Sequence, residues 1–129
     1  MKTIIFILLL IFSVFKANAQ LVDALLYDSN GVIVSPKILK SEATKLIGID
    51  CILPNHKTGY EKWNVVQFQL TIIEGNDTTI FKSSGNIFNI EIINRIRQIK
   101  NKSVLLIEGI LASHDEYYQN VKMIRLEIY

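Results

Sequence analysis

The stretch Val65–Ile73 places the tightest constraint on the fold, because Val66, Phe68, Leu70 and Ile72 alternate with Val65, Gln67, Gln69 and Thr71. Successive strand side chains point to opposite faces, so this spacing predicts a half-buried β-strand with one wet face. Glu74-Gly75-Asn76-Asp77 then supplies turn chemistry, and Thr78-Thr79-Ile80-Phe81-Lys82 is expected to return antiparallel to it. After Ser83-Ser84-Gly85 the period changes. Ile92, Ile93, Ile96 and Ile99 recur at helical spacing, with Glu91, Asn94, Arg95, Gln98 and Lys100 opposite them. Asn89 suits the N-cap, Glu91 the positive start and Arg97, Lys100 and Lys102 the negative end, while Asn101 is expected to take the left-handed conformation that stops the helix. β-Branched residues lose rotamer freedom in a helix, so tertiary packing must hold this one. The expected sheet beneath it consists of Val65–Ile73, Thr78–Lys82, Val104–Leu111 and Val121–Ile128.

Upstream, Ala24-Leu25-Leu26-Tyr27 and Val32-Ile33-Val34 flank Asp28-Ser29-Asn30-Gly31, where Asn-Gly is a strong hairpin signal. Ile38 to Ala43 reads as a short helical or irregular connection, Lys45 to Leu53 as a strand and Pro54 to Gly59 as a loop. The expected fold class is therefore α+β, mostly β: an antiparallel, sandwich-like sheet with one amphipathic helix in a β-β-α-β-β unit. N-terminal strands would occupy residues 20–60 and that unit residues 61–129.

The first nineteen residues read differently. Lys2 gives a positive start, Ile4 to Phe15 is apolar apart from Ser13, and Ala17-Asn18-Ala19 is the small-x-small pattern of a signal-peptidase site. Cleavage after Ala19 would make Gln20 the new N-terminus. A retained anchor is the rival reading, but Thr3 to Phe15 is shorter than the roughly 17–25 residues that span a bilayer. A lipoprotein would need a cysteine at the cleavage point, and Cys51 lies far downstream. Lys2 and Lys16 leave with the leader, so fourteen basic residues become twelve against twelve acidic ones, and the sequence pI of about 8.7 largely belongs to the leader. A balanced mature chain offers no electrostatic case for nucleic acid or an anionic membrane surface, and no membrane span is expected after cleavage. The expected location is the periplasm or the exterior.

A single cysteine cannot form an internal disulfide, so the core must hold the domain together. Cys51 sits in the apolar run Leu46–Leu53 and reads as a buried small hydrophobe. His56 and His114 fall in expected loops. Neither a Cys51–His56 thiol–imidazole pair nor a metal site at His114-Asp115-Glu116 is supported by spacing, since the first diverges from a strand and the second lacks further ligands. Glu108 and Glu127, on neighbouring expected strands, fit a solvated sheet face better than a paired-carboxylate site. Asn76-Asp77-Thr78 and Asn101-Lys102-Ser103 match the glycosylation sequon, which matters only in a eukaryotic secretory route. No catalytic residue, metal site or cofactor is expected. What remains is a set of aromatics near loops, Tyr60, Trp63, Tyr117 and Tyr118, of the kind that anchors protein interfaces, with core packing the competing role for Trp63.

Several strings resemble the C-terminal region of the gliding-motility protein family GldM, also called PorM: Trp63-Asn64-Val65-Val66-Gln67-Phe68-Gln69-Leu70, Ser84-Gly85-Asn86-Ile87-Phe88, the helix Ile90–Lys100, Ser103 to Ala112, and Ile124-Arg125-Leu126. The piece from Ala24 to Leu53 is similar more loosely. The resemblance implies a periplasmic β-rich domain that contacts other envelope proteins of the type IX secretion and gliding machinery and has no enzymatic activity. The chain is expected to differ from that family in having no membrane anchor or long stem; it also carries Asn101 in place of a helix-ending glycine and has no Asp-Gly in the turn Asp115-Glu116-Tyr117-Tyr118. The leading expectation is an exported protein-interaction module whose partner is an envelope protein, with homo-oligomers open. The alternatives are a small exported enzyme or ligand-binding domain using Cys51 or His114, and a structural or regulatory envelope protein unrelated to secretion.

Overall fold

A computed structural model describes residues 21–55 and 59–129. The expected leader with its Ala19–Gln20 junction, and His56, lie outside the described residues. Among the described residues nine strands form one curled sheet: β1 (Asp23–Asp28), β2 (Gly31–Ile33), β3 (Lys37–Ile38), β4 (Leu46–Asn55), β5 (Gly59–Glu74), β6 (Asp77–Ser84), β7 (Val104–His114), β8 (Tyr117–Val121) and β9 (Ile124–Ile128). Two described helices interrupt them, α1 (Lys40–Ala43) and α2 (Ile90–Arg97). All pairings are antiparallel except β3 with β9. The domain is thus α+β and mostly β, as expected. No described helix is long and apolar enough to cross a membrane.

β5 and β7 form the spine of the sheet and each serves several partners. Along one edge of β5 its first residues pair with β4 and its later ones with β6, while its other edge pairs with β7. The outer edge of β7 is divided in the same way, between β9 near its start and β8 near its end. This corrects the expected single strand Val121–Ile128, which is broken at Lys122-Met123 into the end of β8 and the whole of β9. The unit is therefore β-β-α-β-β-β, and β5 runs across the expected boundary at residues 60 and 61.

Two β-bulges keep the apolar side chains on the inner face. In β5 the register passes from Val65↔Ala112 to Gln67↔Leu111, which leaves Val66 as an extra residue. Trp63 and Val65 therefore pack inward before the bulge, and Phe68, Leu70 and Ile72 after it. The simple alternation that grouped Val66 with Phe68 is corrected by that slip of one residue. On β7, Gly109 at φ +59° performs the matching shift, so that Leu105 and Ile107 face inward before it and Ile110 and Ala112 after it. Only a residue tolerant of the left-handed backbone suits such a bulge, and the extra twist it adds helps the sheet to curl.

The core lies inside that curl, beneath α2. Ile92, Ile96 and Ile99 are fully buried with Leu70, Ile72, Leu105, Ile107 and Phe88, so the isoleucine stripe is held by packing, as its poor intrinsic propensity requires. The Asn89 side chain caps the helix by accepting the Ile92 N–H at 2.9 Å. At the other end the left-handed residue is Lys102 at φ +64°, not Asn101. The helix stops by Gln98, so the reversal comes later and serves the entry into β7. Both expected hairpins form. Asp28 closes one with an Asx turn that accepts the Asn30 N–H at 2.8 Å, and Gly75, at φ +61°, opens the other between Glu74 and Asp77.

Candidate functional site

The four aromatics singled out in the sequence lie at one end of the sheet, where β5 extends past β7 and β8 folds back. They do not share a face. Tyr60 and Trp63 are three apart on β5, so they point to opposite sides, and the adjacent Tyr117 and Tyr118 do the same on β8. Cross-strand pairing assigns the sides. Trp63 lies opposite Cys51, and Tyr117 opposite His114, on the inner face; Tyr118 lies opposite Ser113 on the outer face, which Tyr60 shares. Tyr60, Tyr117 and Tyr118 are 60%, 72% and 68% exposed. Trp63 is half-buried and packs against the core, so it combines the two roles weighed for it.

The inner side of this rim carries the most organised polar chemistry. The Trp63 indole donates Nε1–H to Glu61 Oε1 at 3.0 Å. Its ring lies against the His114 imidazole, with centroids 5.5 Å apart and planes inclined at 31°. His114 Nδ1 in turn sits 3.7 Å from Glu61 Oε1 and 3.4 Å from Asp115 Oδ2. Sequence reading missed this grouping because Glu61 and His114 are brought together only by the β5–β7 register. The one local clue, His114 followed by Asp115, has the look of an ordinary polar turn.

The other candidates are kept apart. Cys51 and His114 lie on strands flanking β5, both level with Trp63, and two strand spacings amount to about 10 Å. A nucleophile and its base need about 3 Å. Cys51 is also fully buried. Burial, helped by the charge of Asp50, pushes its thiol up to about 11 from the usual 9.0. The unfolded thiol therefore ionises first, so this contribution to stability is whole below pH 9 and is lost as the pH rises to 11. Linkage bounds it at about 3 kcal/mol. Urea midpoints measured between pH 8 and 11 are expected to fall further in the native chain than in Cys51→Ala. That variant is the needed control, because the Tyr27 hydroxyl is also raised by burial and by the charge of Asp50.

Glu108 and Glu127 form no pair. Glu108 accepts from Thr71 Oγ1 at 2.9 Å and Gln69 Nε2 at 3.3 Å across the outer face, whereas Glu127 stands opposite Val104 and binds Arg125 at 2.7 Å. Hydrogen bonding and the charge of Arg125 hold the Glu127 carboxyl below its ordinary range, as in many exposed ion pairs of small energetic weight. Among the described residues no group of three His, Cys, Asp or Glu side chains is arranged to hold a metal. Fold and rim together define a small, mostly β domain with an aromatic end. No protein-family model matches the sequence, and no curated protein matches it significantly.

Proposed function

We propose that this chain is an exported, non-enzymatic interaction module that binds a protein of the cell envelope through the aromatic end of its sheet. The observation that carries the reading is the gathering of Tyr60, Tyr117 and Tyr118, all well exposed, beside Trp63 at a single end of the domain. Rigid aromatic side chains lose little conformational freedom when bound and supply most of the energy at small interfaces. The resemblance to the C-terminal region of GldM and PorM proteins supports the type of partner, a component of the type IX secretion and gliding machinery. A further support is that Cys51, one of the two residues an enzymatic reading would use, is fully buried with its thiol pushed up to about 11.

Affinity capture from the organism's own envelope with the chain beginning at Gln20 tests this. Recovery of a secretion-system or surface protein is expected, and recovery of neither counts against the proposal. Tyr60→Ala with Tyr118→Ala, and separately Tyr117→Ala, then assign the bound face. Truncating true anchors is expected to weaken capture by roughly tenfold or more, the scale of interface hot spots. A chain that binds equally well without all three tyrosines would remove the aromatic rim from the proposal.

A further inference from the structure

His114 is the only described imidazole, and the groups facing it come from three directions. From β5, Glu61 and Trp63 approach one side of the ring. From the β7–β8 turn, Asp115 approaches the same Nδ1 atom, and Glu116 follows it in the chain. From β8, Tyr117 stands opposite in register. The described charged groups around the imidazole are therefore carboxylates. Lys62, next to Glu61 in the chain, belongs to the other face of β5 and reaches Asp50 at 4.0 Å.

The turn held by these contacts is conformationally unfavourable. Asp115 has φ +53°, a left-handed backbone in a two-residue loop that contains no glycine. Aspartate tolerates that region better than most residues but does not favour it. The β7–β8 pairing closes this turn, and the Asp115 carboxylate beside the imidazole is a further contact that bears on it.

We propose that His114 is a proton-operated clamp on the β7–β8 turn: when charged, it engages Glu61 and Asp115 together and fixes the loop from which Tyr117 projects. A neutral imidazole has one N–H to offer two carboxylates, whereas an imidazolium adds a charge that attracts both. The Trp63 indole keeps Glu61 in place by donating to the same oxygen that faces the histidine. Acidification therefore tightens the rim, and alkalinisation releases the turn. The clamp concerns the turn itself and operates independently of what binds there.

Trp63 is the single tryptophan of the chain, which gives the device its own reporter. An imidazolium against an indole quenches its emission, so fluorescence is expected to fall along a sigmoid as the pH drops from 8 to 5. His114→Gln is expected to abolish that transition. Amide hydrogen exchange at Glu116 and Tyr117, corrected for its intrinsic pH dependence, is expected to be slower at pH 5 than at pH 8. The Glu61→Gln/Asp115→Asn double variant is expected to keep the fluorescence transition and lose the difference in exchange. An emission profile that is flat, or unchanged by His114→Gln, overturns the proposal. So does a turn whose protection follows pH equally in the double variant.

Discussion

Glu74→Ala is expected to destabilise the domain by about 3–5 kcal/mol, the cost of leaving half of a buried ion pair behind. The Glu74 side chain is only 3% exposed, at the last position of β5, and it binds the Arg95 guanidinium of α2. Its second oxygen accepts the Lys100 N–H at 3.0 Å, just past the end of the helix. One carboxylate thus pins the C-terminal half of α2 to the sheet. Its removal leaves a cation whose side chain is 26% exposed without its partner, and a backbone donor without its acceptor. With a slope near 2 kcal/mol per molar, the urea midpoint would fall by about 2 M. For a domain whose whole stability is about 5–15 kcal/mol, that is a large share. The paired variant Glu74→Met/Arg95→Met should recover most of the loss, because apolar residues of similar volume replace a buried pair without unpaired charge. Recovery should fall short by roughly 1–3 kcal/mol, since the Lys100 amide remains unsatisfied. A Glu74→Ala midpoint within experimental error of the native chain would show that the pair is effectively solvated.

Glu74 also illustrates what a sequence conceals. It precedes Gly75-Asn76 and reads as one more polar residue of a turn, yet Arg95 and Lys100 lie more than twenty positions away and meet it only after α2 folds across the sheet. Features determined within a few residues were legible: the Asn89 cap, the Gly75 reversal, the return of β6 and the isoleucine face of α2. Features set by pairing were not. Val66 and Gly109 shift their strands by one residue because the two strands must keep their apolar faces in step, and neither residue announces that alone. Lys122-Met123 looks like part of one continuous strand, and only the division of the β7 edge between two partners breaks it. At the rim, the aromatics were visible as residue types, but their division between two faces and the placing of Glu61 against His114 depend on register. Since strand periodicity is two, a single unnoticed bulge reverses which face a side chain takes.

Gly48→Ala is expected to be about as damaging, and for a reason of space rather than backbone freedom. In the fold, an added Cβ would stand 2.1 Å from the Asn86 carbonyl oxygen and 3.1 Å from Ile87 Cα, both backbone atoms that cannot swing aside. The close approach is productive. Gly48 bridges Ile87, the Ile49 N–H donates to Asn86 O at 2.9 Å, and the Phe88 N–H donates to Ile47 O at 2.8 Å. Phe88 is buried and tilts against Phe68, with ring centroids 5.8 Å apart, so the segment before α2 fastens β4 to the helix-bearing half. A methyl group at position 48 must push this segment outward, breaking two backbone hydrogen bonds and withdrawing Phe88 from the core. Ordinary overpacking costs about 1–3 kcal/mol. Displacing Phe88 as well brings the expected loss to about 3–5 kcal/mol, the range of a core Phe→Ala truncation. Gly109→Ala is the instructive contrast, with φ +59° and open space around the added carbon, so only left-handed strain of about 1–2 kcal/mol is expected there. Urea unfolding of both variants, with hydrogen exchange at the Ile49 and Phe88 amides, separates the two causes. Crowding at position 48 predicts that those two amides lose protection in Gly48→Ala and keep it in Gly109→Ala. Equal losses of stability with protection retained at both amides would mean that the Asn86–Phe88 segment yields without cost, and that the β4–β5 and β3–β9 pairings suffice to hold the two halves of the domain together.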